Sequence, residues 1–250
     1  MNKLPISCTI ISLNEADRIG KAIESVKSFA DEIIVIDSGS IDGTQKICSD
    51  MGCFVRFNKW QGYGPQKRFA EDIARNDWIL NLDADEYLSI ELVNEITDLF
   101  NKDLKNNFYE FKVIPIYPNW EKPRLFSAYH KCVRLYNKKI GRFSESPVHD
   151  SVVTKDHPIE KLQKPIYHKS IRSFKHLIEK QNSYIKLQAD TLKRKKNINL
   201  ILRFFIEFPF AFLKYYIVRR HITGGLTGLK FSLIISYIRL KRIILFIMKK

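Results

Sequence analysis

The feature that most limits how this chain can fold is the stretch Trp78-Ile79-Leu80-Asn81-Leu82, an apolar run that ends abruptly in Asp83-Ala84-Asp85-Glu86. An apolar strand does not carry carboxylates in its interior, so these acids belong where the strand leaves its sheet. On an open α/β sheet that edge is where ligands bind. Two carboxylates separated by one small residue can face the same side and offer hard oxygen ligands to Mg²⁺ or Mn²⁺, leaving metal positions open for phosphate oxygens. The plain alternative is a solvated strand-to-helix turn with Ser89 as cap of the next helix. An EF-hand calcium loop is excluded, because the fifth and sixth positions counted from Asp83 are Tyr87 and Leu88, where an oxygen ligand and a glycine are required.

Two earlier stretches have the same form. Ile6 to Ser12 is a β-rich apolar run followed by Asn14 and Glu15, and then Ala16, Ile19, Ile23, Val26 and Ala30 recur at helical spacing. Ile33 to Ile36 is a second apolar strand ending in Asp37-Ser38-Gly39-Ser40, and the helix from about Thr44 is stopped by Gly52. A third strand is expected over Cys53 to Phe57, then a loop with Gly62, Gly64 and Pro65, then a helix over Gln66 to Arg75. This alternation predicts a doubly wound, mostly parallel α/β sheet, whose strand ends bring Asn14, Glu15, Asp37, Asp83 and Asp85 to one crevice. Neither common nucleotide motif is present: Gly62-Tyr63-Gly64 has Lys67 where the dinucleotide fingerprint needs its third glycine, and no Gly-Lys-Ser/Thr occurs.

Beyond Ser89 to Phe100, read as a helix, Phe108 to Ile116 alternates like an antiparallel strand and Lys131 to Tyr136 is a strand again. The proline-bearing Tyr117 to Pro123 is a loop, the kind of segment that commonly carries recognition residues. Phe143 to Asp150 is a polar cluster with Glu145, His149 and Asp150, readable as an exposed turn or as part of a site. His168 follows a proline, where a lone histidine is commonly structural. A helix is expected from about Ser173 to Lys196, ending in Lys193-Arg194-Lys195-Lys196.

Ser12-Leu13-Asn14-Glu15, Ile34-Val35-Ile36-Asp37-Ser38-Gly39-Ser40-Ile41-Asp42-Gly43-Thr44 and Trp78 to Glu86 resemble the successive signatures of family 2 glycosyltransferases of GT-A fold. Trp60 to Ala70 is similar to a narrower branch, the bacterial lipopolysaccharide-core β-glucosyltransferases. The resemblance implies an inverting, metal-dependent enzyme that moves a sugar, with glucose expected, from a UDP-sugar to a membrane glycolipid. It implies that Asn14, Glu15 and Asp37 hold the nucleoside and that Asp83 contacts ribose or a metal-bound water. Asp85 and His168 become the ligands of a Mg or Mn ion, and Asp150, with Glu145 as second choice, the catalytic base. Lys67 is a candidate diphosphate contact, though a surface lysine on a helix is the plainer reading.

Charge separates the chain into two regions, expected as a GT-A domain over residues 1–170 and a helical, basic, membrane-associating appendage over 171–250. Residues 191–250 hold 14 Lys and Arg against the single acid Glu207, whereas the preceding residues hold 28 against 26. Short apolar bursts interrupted by Lys and Arg suit helices lying in an anionic membrane interface, and none is long enough to span. A basic helical pair packed on the body is the alternative. Nucleic acid is disfavoured as partner, because far more aliphatic surface accompanies the charge than a phosphate-tracking groove uses. Four cysteines without C-x-x-C spacing suggest neither zinc nor disulfides, and with no signal peptide at Met1 to Pro5 a reduced, cytoplasmic, peripheral membrane location is expected. The rival to the enzyme is a non-catalytic membrane-associated nucleotide-sugar-binding or scaffold protein.

Overall fold

The computed structural model describes residues 3–102, 104–148, 150–191 and 198–248. His149, Leu192 and the basic run Lys193 to Lys196 therefore lie outside the described residues. The chain divides into two compact units, Met1–Ile114 with Tyr129–Lys169, and Pro115–Ala128 with Ser170–Lys250.

The first unit alternates β1 (Leu4–Ser12), α1 (Ile19–Lys27), β2 (Ala30–Asp37), α2 (Thr44–Asp50), β3 (Phe54–Phe57), α3 (Tyr63–Ile73), β4 (Trp78–Asp83), β5 (Glu86–Leu88) and α4 (Ile90–Phe100). It closes with β6 (Phe108–Pro115), β7 (His130–Asn137) and β8 (Ile159–His168). One eight-stranded sheet runs β3-β2-β1-β4-β7-β6-β8-β5. Its first half is parallel, as the alternation implies; β7 then pairs antiparallel with both β4 and β6, and β5 with β8, so the whole sheet is mixed. Helices cover both faces. On one, Ile19, Ile23 and Val26 of α1 and Leu92 and Ile96 of α4 pack with Ile6, Cys8, Ile10, Leu80 and Leu82. On the other, Ala70 of α3 and Ala74 just beyond it pack with Ile34, Ile36, Ile79 and Tyr136. Ser89 caps α4 by accepting the Leu92 N–H at 3.2 Å, as its position before the apolar-periodic run suggests.

Parallel register decides where the polar ends fall. Ser12 pairs with Asp37 and Ile11 with Asp83, so β1, β2 and β4 end in one row. The short strand β5 was not legible in the sequence: it pairs Glu86 with His168, Tyr87 with Tyr167 and Leu88 with Ile166, which brings a distant histidine beside the acid triplet.

The second unit is built on α5 (Phe174–Thr191), α6 (Ile198–Leu213) and α7 (Gly225–Met248). A single π-helical turn over Lys214–Val218 and a 3-10 turn over His221–Gly224 join α6 to α7, with Arg220 between them at φ 57°. Buried Glu207 on α6 accepts from Arg203 Nε and Arg239 Nε, each at 2.7 Å, so the one acid of this basic region ties α6 to α7. No helix among the described residues is long and apolar enough to cross a membrane.

At the entry to α3 two distant stretches of backbone lie directly against each other. The N–H groups of Tyr63 and Gly64 donate to the carbonyls of Pro147 and Ser146 at 3.0 and 3.1 Å, satisfying helix-terminal donors with a loop from far along the chain. A Cβ on Gly64 would meet the Ser144 carbonyl at 2.2 Å, whereas a Cβ on Gly20 would find nothing nearer than the Met51 sulfur at 3.8 Å. Gly64→Ala should therefore destabilise the protein by about 1–3 kcal/mol, the usual cost of overpacking. Gly20→Ala should be neutral or stabilising by up to about 1 kcal/mol. Urea denaturation of both variants checks this, and equal effects would contradict the packing described.

Candidate active site

The tip of β4 is held by a cation that carries no motif. Arg134, buried on β7, donates from Nη1 to Asn81 Oδ1 at 2.9 Å, and from Nη2 to Asp83 Oδ2 at 3.0 Å and Glu86 Oε1 at 2.7 Å. Glu86 in turn accepts the Asp83 N–H at 3.1 Å, closing the turn around Ala84. Burial pushes the Glu86 carboxyl up and Asp83 adds to this, against the pull of Arg134. For Asp83 burial also opposes the charge, but Arg134 and Lys67 together hold its carboxyl far below the usual range.

Lys67 departs from the sequence expectation of a surface lysine. It is 2 % exposed, at the inner side of α3, and its ammonium bridges Asp83 Oδ1 at 3.0 Å and Asp150 Oδ2 at 2.7 Å. Two carboxylates that lie 67 residues apart in the chain thus meet on one buried charge. Packing explains the reach, because the Gly62–Gly64 backbone lies directly on Ser144–Pro147, just before Asp150. Glu145, on the same loop, points elsewhere: its side chain is 80 % exposed and lies 3.6 Å from Arg68 Nε.

Asp85 faces the other side of the tip. Its Oδ2 lies 3.3 Å from His168 Nε2 and 3.2 Å from Arg18 Nη1. Arg18 also donates to Glu15 Oε2 through Nε at 2.8 Å and to the Lys169 carbonyl through Nη1 at 2.8 Å. Burial works against charge on both Asp85 and His168, yet their mutual hydrogen bond prevails, lowering the carboxyl and raising the imidazole.

Asp37 and Asn14 act from inside their loops. Buried Asp37 accepts from Ser12 Oγ at 2.9 Å, from the Gly39 and Ser40 N–H groups at 2.9 and 2.8 Å, and from Gln45 Nε2 at 2.6 Å. Burial raises its carboxyl pKa, but the Ser40, Gln45 and Gly39 bonds bring it below the ordinary value. Asn14, at φ 56°, receives the Ile41 N–H on Oδ1 at 3.0 Å, while the Glu15 N–H donates to Thr44 Oγ1 at 2.9 Å. The loops after β1 and β2 are in this way locked to each other.

The cluster formed by Glu15, Asp83, Asp85, Glu86 and Asp150 is balanced by Arg18, Lys67 and Arg134. The five carboxylates outnumber the three cations, and His168, drawn toward its charged form by Asp85, offsets part of that excess. Asp85 and His168 fit as two ligands of one ion: ligand atoms at right angles around bonds of about 2.1 Å lie about 3 Å apart, close to their separation here. Among the described residues no group of three or more such side chains converges, so the remaining positions would fall to water and ligand oxygens.

Arg134 and Arg18 were not identified from the sequence. For Arg134 a signal existed in Asn81, a polar residue in the middle of a buried strand, which needs a partner. Arg18 had none.

Comparison with known proteins bears on this geometry. A family model described as Glycosyl transferase family 2 matches residues 7–168. An uncharacterized glycosyltransferase of Rickettsia bellii is 41% identical over 248 residues, covering 95% of this chain and 84% of its own. The lipopolysaccharide core biosynthesis glycosyltransferase LpsC of Rhizobium meliloti is 43% identical over 102 residues, 39% of this chain and 37% of that protein. Among solved structures, S. aureus TarS 1-349 is 14% identical with a TM-score of 0.49, covering 95% of this chain and 90% of that one.

Proposed function

Because the chain belongs to glycosyl transferase family 2 and is a glycosyltransferase, we propose that it is an inverting, metal-dependent enzyme that moves glucose from UDP-glucose to a membrane glycolipid of the lipopolysaccharide-core type. The observation that carries the reading is the Lys67 bridge, which joins Asp150 to Asp83 at the tip of β4. The partial likeness to LpsC, a lipopolysaccharide core biosynthesis glycosyltransferase, supports the choice of acceptor.

In this reading Asp85 and His168 hold a Mg or Mn ion, whose chemistry when bound is to neutralise the diphosphate leaving group. The loops fixed by Asn14, Glu15 and Asp37 receive the nucleoside, and Asp83 contacts ribose or a metal-bound water. Asp150 accepts the acceptor hydroxyl's proton as that oxygen attacks the anomeric carbon, opposite the breaking bond to the diphosphate, so configuration inverts. Lys67 serves as a positioning residue for Asp83 and Asp150. Exposure of Glu145 favours Asp150 over it as base.

Asp150→Asn should lower turnover by about 10² to 10⁴ with donor affinity nearly unchanged, the range for lost general-base assistance. Glu145→Gln should stay near the unaltered enzyme. Transfer from a panel of nucleotide sugars, with donor hydrolysis as the acceptor-free readout, measures both. If Glu145 is the sensitive position the base is misassigned, and if no donor turns over at all the rival binding-protein reading gains.

The second unit supports an interfacial location on the inner face of the cytoplasmic membrane. Phe205, Phe210, Leu213, Ile217, Val218 and Leu226 are exposed beside the exposed Arg219 and Arg220, apolar surface and positive charge together, as anionic lipid requires. Val218→Asp with Leu226→Asp, at side chains already 74% and 84% exposed, should abolish co-sedimentation with anionic vesicles without unfolding the protein. High salt should release the unaltered protein only partly, since inserted side chains are not screened. Equal binding of the double variant would remove this assignment.

A further inference from the structure

Inside the second unit lies a cavity of about 150 Å³ whose lining includes Ile116, Tyr117, Arg124, Ser127, Ser170 and His221. At about 30 Å³ for each water in the liquid, it has room for several water-sized groups. Its wall carries a buried charge: Arg124 is only 8% exposed, and no aspartate or glutamate is among the described residues of the lining.

The guanidinium is only partly used. Nε donates to the Tyr117 hydroxyl at 3.3 Å and Nη2 to the Arg219 carbonyl at 2.9 Å, whereas buried Nη1 has no hydrogen-bond partner among the described residues. Two N–H groups on an ionised, desolvated nitrogen are expensive to leave unpaired. If Arg124 served only to staple the Tyr117 loop to the turn after α6, Nε and Nη2 would suffice.

The neighbouring hydrogen bonds fix the tautomer of His221. The Tyr117 hydroxyl accepts from Arg124, so its own proton goes to His221 Nδ1, with which it is in short contact. This leaves His221 with its proton on Nε2. Phe231 stacks on the imidazole with centroids 4.5 Å apart. Burial, and then the nearby charges of Arg124 and Arg219, push the imidazole down to about 4. Serine hydroxyls at 127 and 170 add further hydrogen-bonding capacity to the lining.

We propose that this cavity is a binding site for a small oxoanion group, a phosphate or carboxylate, with Arg124 as its charge partner. Arg124 is part of the lining, and an oxygen of such a group within the cavity supplies a negative charge for its guanidinium, the pairing for which guanidinium is suited. The site is independent of the glycosyl-transfer reading and would stand if that reading failed. Its ligand is carried either by a soluble metabolite or by a lipid headgroup, which share this chemistry.

Calorimetric titration of the full-length protein with inorganic phosphate and with acetate, at constant ionic strength and with chloride as control, tests the proposal. Saturable binding of either oxoanion is expected, weakened about tenfold or more in Arg124→Met. Chloride matching the oxoanions, or unchanged affinity in the variant, would overturn it. Should Arg124→Met fail to fold, nitrogen NMR of the labelled histidines in the unaltered protein decides. Saturable movement of the His221 resonances with phosphate supports the site, and their indifference overturns it. Competition then separates the sources: displacement of phosphate by glycerol 3-phosphate alone identifies a soluble ligand, and displacement by phosphatidic acid vesicles but not phosphatidylcholine vesicles identifies a headgroup.

Discussion

The arrangement of the first unit depends on one guanidinium. Arg134 sits on an antiparallel strand beside the last parallel one, so its side chain reaches back to the point where β4 ends. Without Arg134, Asp83 would keep Lys67, but Glu86 would lie buried beside it with no ion-pair partner among the described residues. Removing one partner of such a cluster typically costs about 3–5 kcal/mol, because the others stay buried and unpaired. Its rigidity also fixes direction: with Asp83 and Glu86 pinned, Asp85 is the carboxylate turned toward His168 and Arg18.

A second constraint brings the rest of the site together. The parallel register lines up the ends of β1, β2 and β4, but it cannot deliver Asp150, which lies on a loop beyond β7. That loop is captured by the amino end of α3, where absent side chains at Gly62 and Gly64 allow backbone to rest on backbone. Lys67, one turn further along α3, completes the capture with a buried ion pair. The same helix is anchored below by Glu71, which accepts from Tyr136 Oη at 2.7 Å and Arg142 Nε at 2.6 Å.

The parts of the molecule that were legible in the sequence are those governed by local pattern. Apolar runs ending in acids located β1, β2 and β4, helical spacing located α1, and turn chemistry located Ser89. Less legible were features created by long-range pairing. Three-residue β5 is too short to show alternation, and β8 carries Pro165 and the exposed polar residues Glu160, Lys161, Gln163 and Lys164, so their partnership, and with it the position of His168, had no local signature. Lys67 was misread for a related reason: helical position alone did not reveal that two distant carboxylates would bury it. Arg134 lies in an ordinary alternating strand, where only the demand of Asn81 for a partner pointed to it.

We propose that Asp85 and His168 supply part of a metal's coordination shell and that a nucleotide's phosphates complete it. The most direct measurement is electron paramagnetic resonance of free Mn²⁺ titrated with protein, with and without UDP. The free-ion signal should fall steeply only when UDP is present, and this UDP-dependent loss should disappear in Asp85→Ala. Tight Mn²⁺ binding without nucleotide, or UDP binding indifferent to Mn²⁺, would contradict it.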